Sequence, residues 1–113
     1  PQTKNMISLP EFKKMKKKPI LINTARGGLV KEEDLVEAIE KGYISGAAFD
    51  VVTKEPISDD HPFFKIIKRP NFILTPHVSW ASMEAMQVLS DQLIDNIENY
   101  VAGKPSNVVS GDF

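Results

Sequence analysis

Ile20-Leu21-Ile22-Asn23-Thr24-Ala25-Arg26-Gly27-Gly28-Leu29-Val30 decides how the chain reads. An apolar run from Pro19 to Ile22 turns polar at Asn23 and Thr24, presents Arg26, then breaks at Gly27 and Gly28. A new amphipathic pattern starts at once. That order describes a buried strand, a tight turn and a helix. In open α/β sheets, ligands bind outside the carboxyl ends of the strands. An arginine there, beside two glycines that let backbone come close, is a candidate grip for an anionic substrate. The plainer alternatives are a solvated turn residue or an Arg-Gly-Gly nucleic-acid segment. One copy in a strongly patterned context is not a low-complexity tract, which argues against the second.

Working outward, Ser8-Leu9-Pro10-Glu11 has the form of a capping box and predicts a short helix from Leu9 to Lys16. Lys13, Lys14, Lys16, Lys17 and Lys18 crowd its end. No aromatic residues interleave them, so they read as a solvated face suited to a helix C-terminus. The first strand spans Ile20 to Asn23. A helix follows over Lys31 to Lys41, with Glu32, Glu33 and Asp34 in its first turn, where the dipole favours acids, and Gly42 as its stop. Ser45 to Asp50 is the second strand, and its Gly46-Ala47-Ala48 is expected to let a helix pack closely. A long connection covers 51–70, with one short helical turn over 61–67 and His61 as a surface loop residue. Asn71 to Thr75 is the third strand. Ser82 is an N-cap candidate. Met86, Leu89, Leu93, Ile97 and Tyr100 or Val101 then recur at helical spacing until Gly103 and Pro105. About 20 residues at ~1.5 Å each make a rod of ~30 Å, which is expected to reach another domain. Strands alternating with helices imply parallel pairing and right-handed crossovers.

Composition narrows the function. The 113 residues have the size of one domain, and 42% are hydrophobic and 26% charged, as in ordinary globular protein. A net charge of −1 points away from nucleic acid and charged membranes as partners. No apolar run is long enough to span a bilayer. With no cysteine there is no disulfide framework and no thiol chemistry, which fits a reducing, cytoplasmic setting. No metal is expected.

Each strand leads into a polar residue: the first to Arg26, the second to Asp50 with Glu55 beyond, the third to His77. Parallel strands would bring all of them to one edge of the sheet. A fixed cation binds a carboxylate or polarises a carbonyl, and a histidine titrating near neutrality moves a proton. A carboxylate bonded to that histidine orients it. A lone histidine after proline, as in Pro76-His77, is more often structural, and Asp50 can simply cap the strand end.

Leu21-Ile-Asn-Thr-Ala-Arg-Gly-Gly28, Gly46-Ala-Ala-Phe-Asp-Val-Val-Thr-Lys-Glu-Pro56 and Ile73-Leu-Thr-Pro-His77 together resemble the signature stretches of the NAD-dependent D-2-hydroxyacid dehydrogenases. Order and spacing fit, and the resemblance covers nearly the whole chain. It implies an α/β chain: the C-terminal part of a Rossmann-type, doubly wound parallel sheet, with three parallel strands, helices and a long C-terminal helix. Residues 1–81 would belong to the NAD(P)-binding domain, 82–103 to a helix reaching toward the substrate domain, and 104–113 to a tail. Catalysis would rest on Arg26 for the substrate carboxylate and carbonyl, His77 as acid/base and Glu55 as its partner. Thr24 and Ala25 would lie against the cofactor, with Arg26, Asp50 and His77 also on that side and Asp50 at the nicotinamide carboxamide. Trp80 is a substrate-side candidate, though it could only pack the helix start. The implied cofactor is NAD, with NADP still open. The implied partner is a small 2-hydroxy or 2-keto acid, in a whole enzyme that is a homodimer.

Within the family, Thr75-Pro76-His77-Val78-Ser79-Trp80-Ala81-Ser82 most resembles glycerate dehydrogenases, or hydroxypyruvate reductases. Phosphoglycerate or another D-2-hydroxyacid dehydrogenase is the alternative. A non-catalytic, NAD-sensing regulator on the same fold is a further one, expected to lack Arg26, Glu55 or His77. The family's Gly-x-Gly-x-x-Gly phosphate turn is absent, since the glycines are 27, 28, 42, 46, 103 and 111. The chain is therefore expected to be a fragment, inactive alone. Lys31 stands where the family often has an acidic helix cap.

Overall fold

The computed structural model describes residues 2–111. It contains α1 (Leu9–Lys14), β1 (Ile20–Asn23), α2 (Glu32–Glu40), β2 (Gly46–Phe49), a 3-10 turn (Pro62–Lys65), β3 (Phe72–Leu74) and α3 (Met83–Val101). The strands form one parallel sheet in the order β1-β2-β3. Ile22 lies opposite Ala48 and Ala48 opposite Ile73, so identical pleat positions line up across all three strands. Every strand therefore runs the same way, and the polar residues that come after Asn23, Phe49 and Leu74 emerge at one edge.

Elements are slightly shorter than the sequence pattern predicts, as frayed ends usually are. At α1, Glu11 Oε2 accepts from Ser8 N at 3.1 Å and from Ser8 Oγ at 2.7 Å, the carboxylate half of the capping box. Lys31 occupies the cap position of α2 with no side-chain cap bond; its Nζ instead meets Asp34 Oδ1 at 3.0 Å. Asp34 Oδ2 accepts from Leu9 N at 2.8 Å, so α2 holds the start of α1. Gly42 adopts φ +67°, the left-handed stop that glycine allows at no steric cost. Gly46 serves a different neighbour from the one expected: a Cβ there would sit 2.9 Å from Asn71 O, so the close approach is to the segment entering β3, not to a helix.

The core lies on one face of the sheet. Phe12 of α1, Leu35, Val36, Ala38 and Ile39 of α2, and Ala47, Phe49 and Phe72 of the sheet are buried together. Phe63 completes it, with its ring edge-on to Phe49 and Phe72 at centroid distances of 5.1 Å each. That aromatic docking draws the 3-10 turn onto the sheet. The opposite face is bare: Ile20, Ile22 and Ile73 are 66%, 67% and 60% exposed. Parallel sheets normally have both faces covered.

The chain divides at Val78/Ser79 into two compact units. The second contains α3. Ser82 Oγ accepts from Ala85 N at 3.1 Å and caps it. No residue of this helix is buried, although Leu89, Leu93 and Ile97 recur along one side.

Candidate active site

Asn23 ends β1 and shapes the turn after it. Its side chain is buried, its Oδ1 accepts from Ala25 N at 3.1 Å, and its Nδ2 donates to Arg26 O at 2.9 Å. The asparagine thus closes the turn that presents Arg26. The sequence reading missed this role; an asparagine at a strand end, just before a turn, was the available signal. Arg26 is exposed, and its Nη1 donates to Ala25 O at 3.2 Å. Thr24 and Ala25 are exposed beside it, at the carboxyl end of β1. Beyond the turn, Asn5 N donates to Gly28 O at 2.6 Å and Ile7 N to Leu29 O at 3.1 Å, which anchors the chain as it leaves.

Gly27 is required by proximity. A Cβ at this position would lie 2.0 Å from Val52 O and 2.4 Å from Thr53 N. The arginine turn and the loop after β2 are in backbone contact there, and no larger residue fits.

Asp50 comes directly after β2 and is 3% exposed. Its N donates to Asn23 O at 3.0 Å, while its Oδ1 accepts from Thr75 Oγ1 at 2.5 Å and Val78 N at 2.9 Å. Asp50 thereby links the ends of all three strands, to β1 through its backbone N–H and to the segment after β3 through its carboxylate.

Glu55 and His77 meet directly, with Oε2 and Nδ1 2.7 Å apart. The other carboxylate oxygen of Glu55 accepts from Val52 N at 3.1 Å. The bond to His77 comes first among the causes that hold the Glu55 carboxyl below its ordinary value, followed by Val52 N–H, with the Arg26 charge adding in the same direction. Both side chains stay about two-fifths exposed. His77 itself has φ +56°, the left-handed region that few non-glycine residues occupy. Such strain persists only where the surroundings fix it, and it concentrates at functional sites.

Arg26, Glu55 and His77, the three candidate catalytic residues, line one shallow cleft of about 260 Å³ with Gly27, Val52 and Thr53. A second hollow of about 380 Å³ shares Glu55 and His77 with it and reaches Asp50 and Thr75. The candidate set therefore converges on the sheet edge. Trp80 belongs to the other unit and is 54% exposed. Among the described residues no cluster of metal-ligating side chains occurs.

His61 corrects the sequence reading. It is 8% exposed, not a surface loop residue. Its Nδ1 accepts from Phe63 N at 3.2 Å, capping the 3-10 turn, and its Nε2 lies 3.1 Å from Glu32 Oε2. Phe63 entering the core carries the neighbouring imidazole inward, edge-on at 4.7 Å.

Residues 1–79 match a family model described as D-isomer specific 2-hydroxyacid dehydrogenase, NAD binding domain. A glycerate dehydrogenase of Methylorubrum extorquens is 59% identical over 109 residues, covering 96% of this chain and 34% of the relative. A D-lactate dehydrogenase solved with NAD+ from Lactobacillus jensenii superimposes with a TM-score of 0.81 at 29% identity, over 98% of this chain and 36% of that one. An NADPH-dependent glyoxylate/hydroxypyruvate reductase from Sinorhizobium meliloti, solved with NADP and sulfate, gives 0.77 at 30% identity, over 97% and 35%. The chain thus spans about a third of the length of these proteins.

Proposed function

The chain belongs to the D-isomer-specific 2-hydroxyacid dehydrogenases, and on that premise we propose that the whole protein interconverts glycerate and hydroxypyruvate with NAD(H). The observation that carries the reading is the convergence of Arg26, Glu55 and His77 on one cleft at the carboxyl edge of a parallel sheet. Identity to a glycerate dehydrogenase supports the substrate. All three residues are present, which disfavours a regulator without catalysis.

The residues fit the nicotinamide end of a dinucleotide and not its phosphates. The hollow beside His77 combines apolar walls, Val51, Ile57 and Leu74, with the carboxylate of Asp50 at its margin. A flat, weakly polar ring bearing a carboxamide suits such a place, with Thr24 and Ala25 at the neighbouring strand end. Phosphates find no cradle at the start of α2. The N-terminus of α2 carries Glu32, Glu33 and Asp34, which repel an anion. When bound, the reduced dinucleotide supplies a hydride.

The chain's own residues do the rest. Arg26 holds the carboxylate of the 2-keto acid and polarises its carbonyl, as a planar, permanently charged fork can. Glu55 engages His77 at Nδ1, which directs the exchangeable proton to Nε2. In reduction, C2 of the keto acid receives the hydride, and its oxygen takes the proton from His77. In oxidation the proton returns to neutral His77. Asp50 keeps Thr75 and Val78, and so His77 between them, in register with β2.

The bare sheet face and the uncovered apolar side of α3 support the reading that further polypeptide completes the fold. The reading also includes a homodimer in the cytoplasm, on the family resemblance. The test is NADH oxidation by the purified whole protein with hydroxypyruvate, glyoxylate and pyruvate. Preferential turnover of hydroxypyruvate is expected. Failure to oxidise NADH with any 2-keto acid would overturn the proposal.

A further inference from the structure

A second histidine–carboxylate pair lies away from the cleft. The His61 and Glu32 side chains are 7% and 11% exposed, and neither lines either hollow at the sheet edge. The Phe63 N–H donates to His61 Nδ1, so the neutral ring carries its proton on Nε2 and donates it to Glu32 Oε2. Glu32 Oε1 accepts from Thr53 N at 2.7 Å. Glu32 is therefore committed at both oxygens, and its second partner is the backbone of the loop that bears Glu55.

That backbone is held from two sides. Thr53 N–H points at Glu32, while the Val52 carbonyl abuts Gly27 with no room for a Cβ between them. One residue earlier, Val52 N–H donates to Glu55 Oε1, and Glu55 Oε2 reaches His77. The contacts run without a break from Phe63 N–H through His61, Glu32, Thr53, Val52 and Glu55 to His77.

We propose that Glu32 and His61 are positioning residues for the reaction, holding the Val52–Glu55 loop where Glu55 meets His77. This rests on the reading of Glu55 and His77 as the proton-transfer pair. His61 fixes the Glu32 carboxylate; Glu32 fixes the Thr53 amide; that amide sets the distance over which Glu55 engages the imidazole. A place in the first turn of α2 does not by itself explain Glu32, whose link to Thr53 crosses from α2 to the loop.

Two variants of the whole protein separate positioning from folding. Glu32→Gln offers one acceptor where two N–H groups need one, so either the Thr53 or the His61 bond is lost. His61→Asn keeps a good cap acceptor for the 3-10 turn but is too short to reach Glu32. Expected for both is a drop in kcat of about tenfold, since small misplacements of a catalytic group are costly. NADH affinity, followed by fluorescence, should hold. The pH limb of keto-acid reduction should move to lower pH, as it should when Glu55→Gln removes the carboxylate charge beside His77. In a Glu55→Gln background neither variant should move the limb further, because the partner it positions is gone. An unmoved limb, even with lower activity or a lower melting temperature, would overturn the positioning role. So would a full additive shift in the Glu55→Gln background. If Glu55→Gln itself leaves the limb in place, the proton-transfer reading fails, a result distinct from either. Should Glu32→Gln fail to fold, His61→Asn decides alone.

Discussion

Two histidines in this chain each face a glutamate at hydrogen-bond distance, 2.7 Å for His77–Glu55 and 3.1 Å for His61–Glu32. The pairs are chemically alike and differ in burial: about two-fifths exposed against about a tenth. They also differ in what holds the imidazole. His77 sits in a strained backbone at the rim of a cleft, whereas His61 caps a turn and packs edge-on against Phe63 inside the core. Only the first is open to solvent. Residue type and partner do not by themselves identify an acid/base pair; access does.

The largest effect that can break this contrast is truncation of each histidine. His77→Ala should cost about a thousandfold or more in kcat/KM while leaving the melting temperature nearly unchanged. His61→Ala should cost only about tenfold in kcat but destabilise by about 2 kcal/mol, through the lost cap and the unpaired Glu32. Steady-state kinetics and thermal denaturation of the same samples check both. Equal losses of activity would erase the distinction.

Next comes Arg26→Lys, which keeps the charge and removes the fork. A loss of about 3 kcal/mol in kcat/KM is expected, for a contact that strengthens in the transition state. KM for the keto acid should rise and NADH affinity hold, measured by initial rates and fluorescence titration. Weakened NADH binding instead would put Arg26 on the phosphates.

Glu55→Gln sharpens the exposed pair with a smaller change. The Glu55 carboxyl lies below its ordinary value, chiefly through its bond to His77, so it is charged throughout the neutral range and the amide removes a full charge. A protonated imidazole loses its partner. Reduction, which needs the proton, should then fail at a lower pH than in the parent. Oxidation, which needs the neutral ring, should survive to lower pH. One group governs both limbs, so they must move together. Rate–pH profiles in both directions decide it; limbs that move apart or upward would show that Glu55 is not the partner.

The smallest effect is a stability effect. Burial works against ionisation of Asp34, yet the Leu9 N–H and Lys31 outweigh it and hold the carboxyl below its ordinary value. A depressed acid stabilises the fold above its unfolded value, and that contribution is lost as pH falls through its folded value. Asp34→Asn should therefore lower the melting temperature by a few degrees at neutral pH and flatten its fall in strong acid. Neither histidine pair should respond.

Much of this was legible in the sequence, for local reasons. Apolar runs ending in polar residues marked the strands, and parallel order alone put Arg26, Asp50 and His77 on one edge. Ser82 and Gly42 mark helix ends by their own chemistry. His61 was not legible, because its burial depends on Glu32, far back in the chain, and on Phe63 docking against strands not yet paired. Asn23 was passed over since its bonds go to backbone, which periodicity does not register. Nor does the stripe of α3 say what covers it.

The contact of Gly27 with the Val52 carbonyl bears on how sequences of this kind can drift. A side chain at 27 would push the loop back, and retreat of the loop would carry Glu55 from His77. A change at either end is thus answered at the other, and the two stretches inherit one another's constraints. Variation is channelled into the exposed side chains of Thr53 and Lys54, which can be exchanged without moving the backbone that bears them. Anyone redesigning the loop for a bulkier acid should begin there.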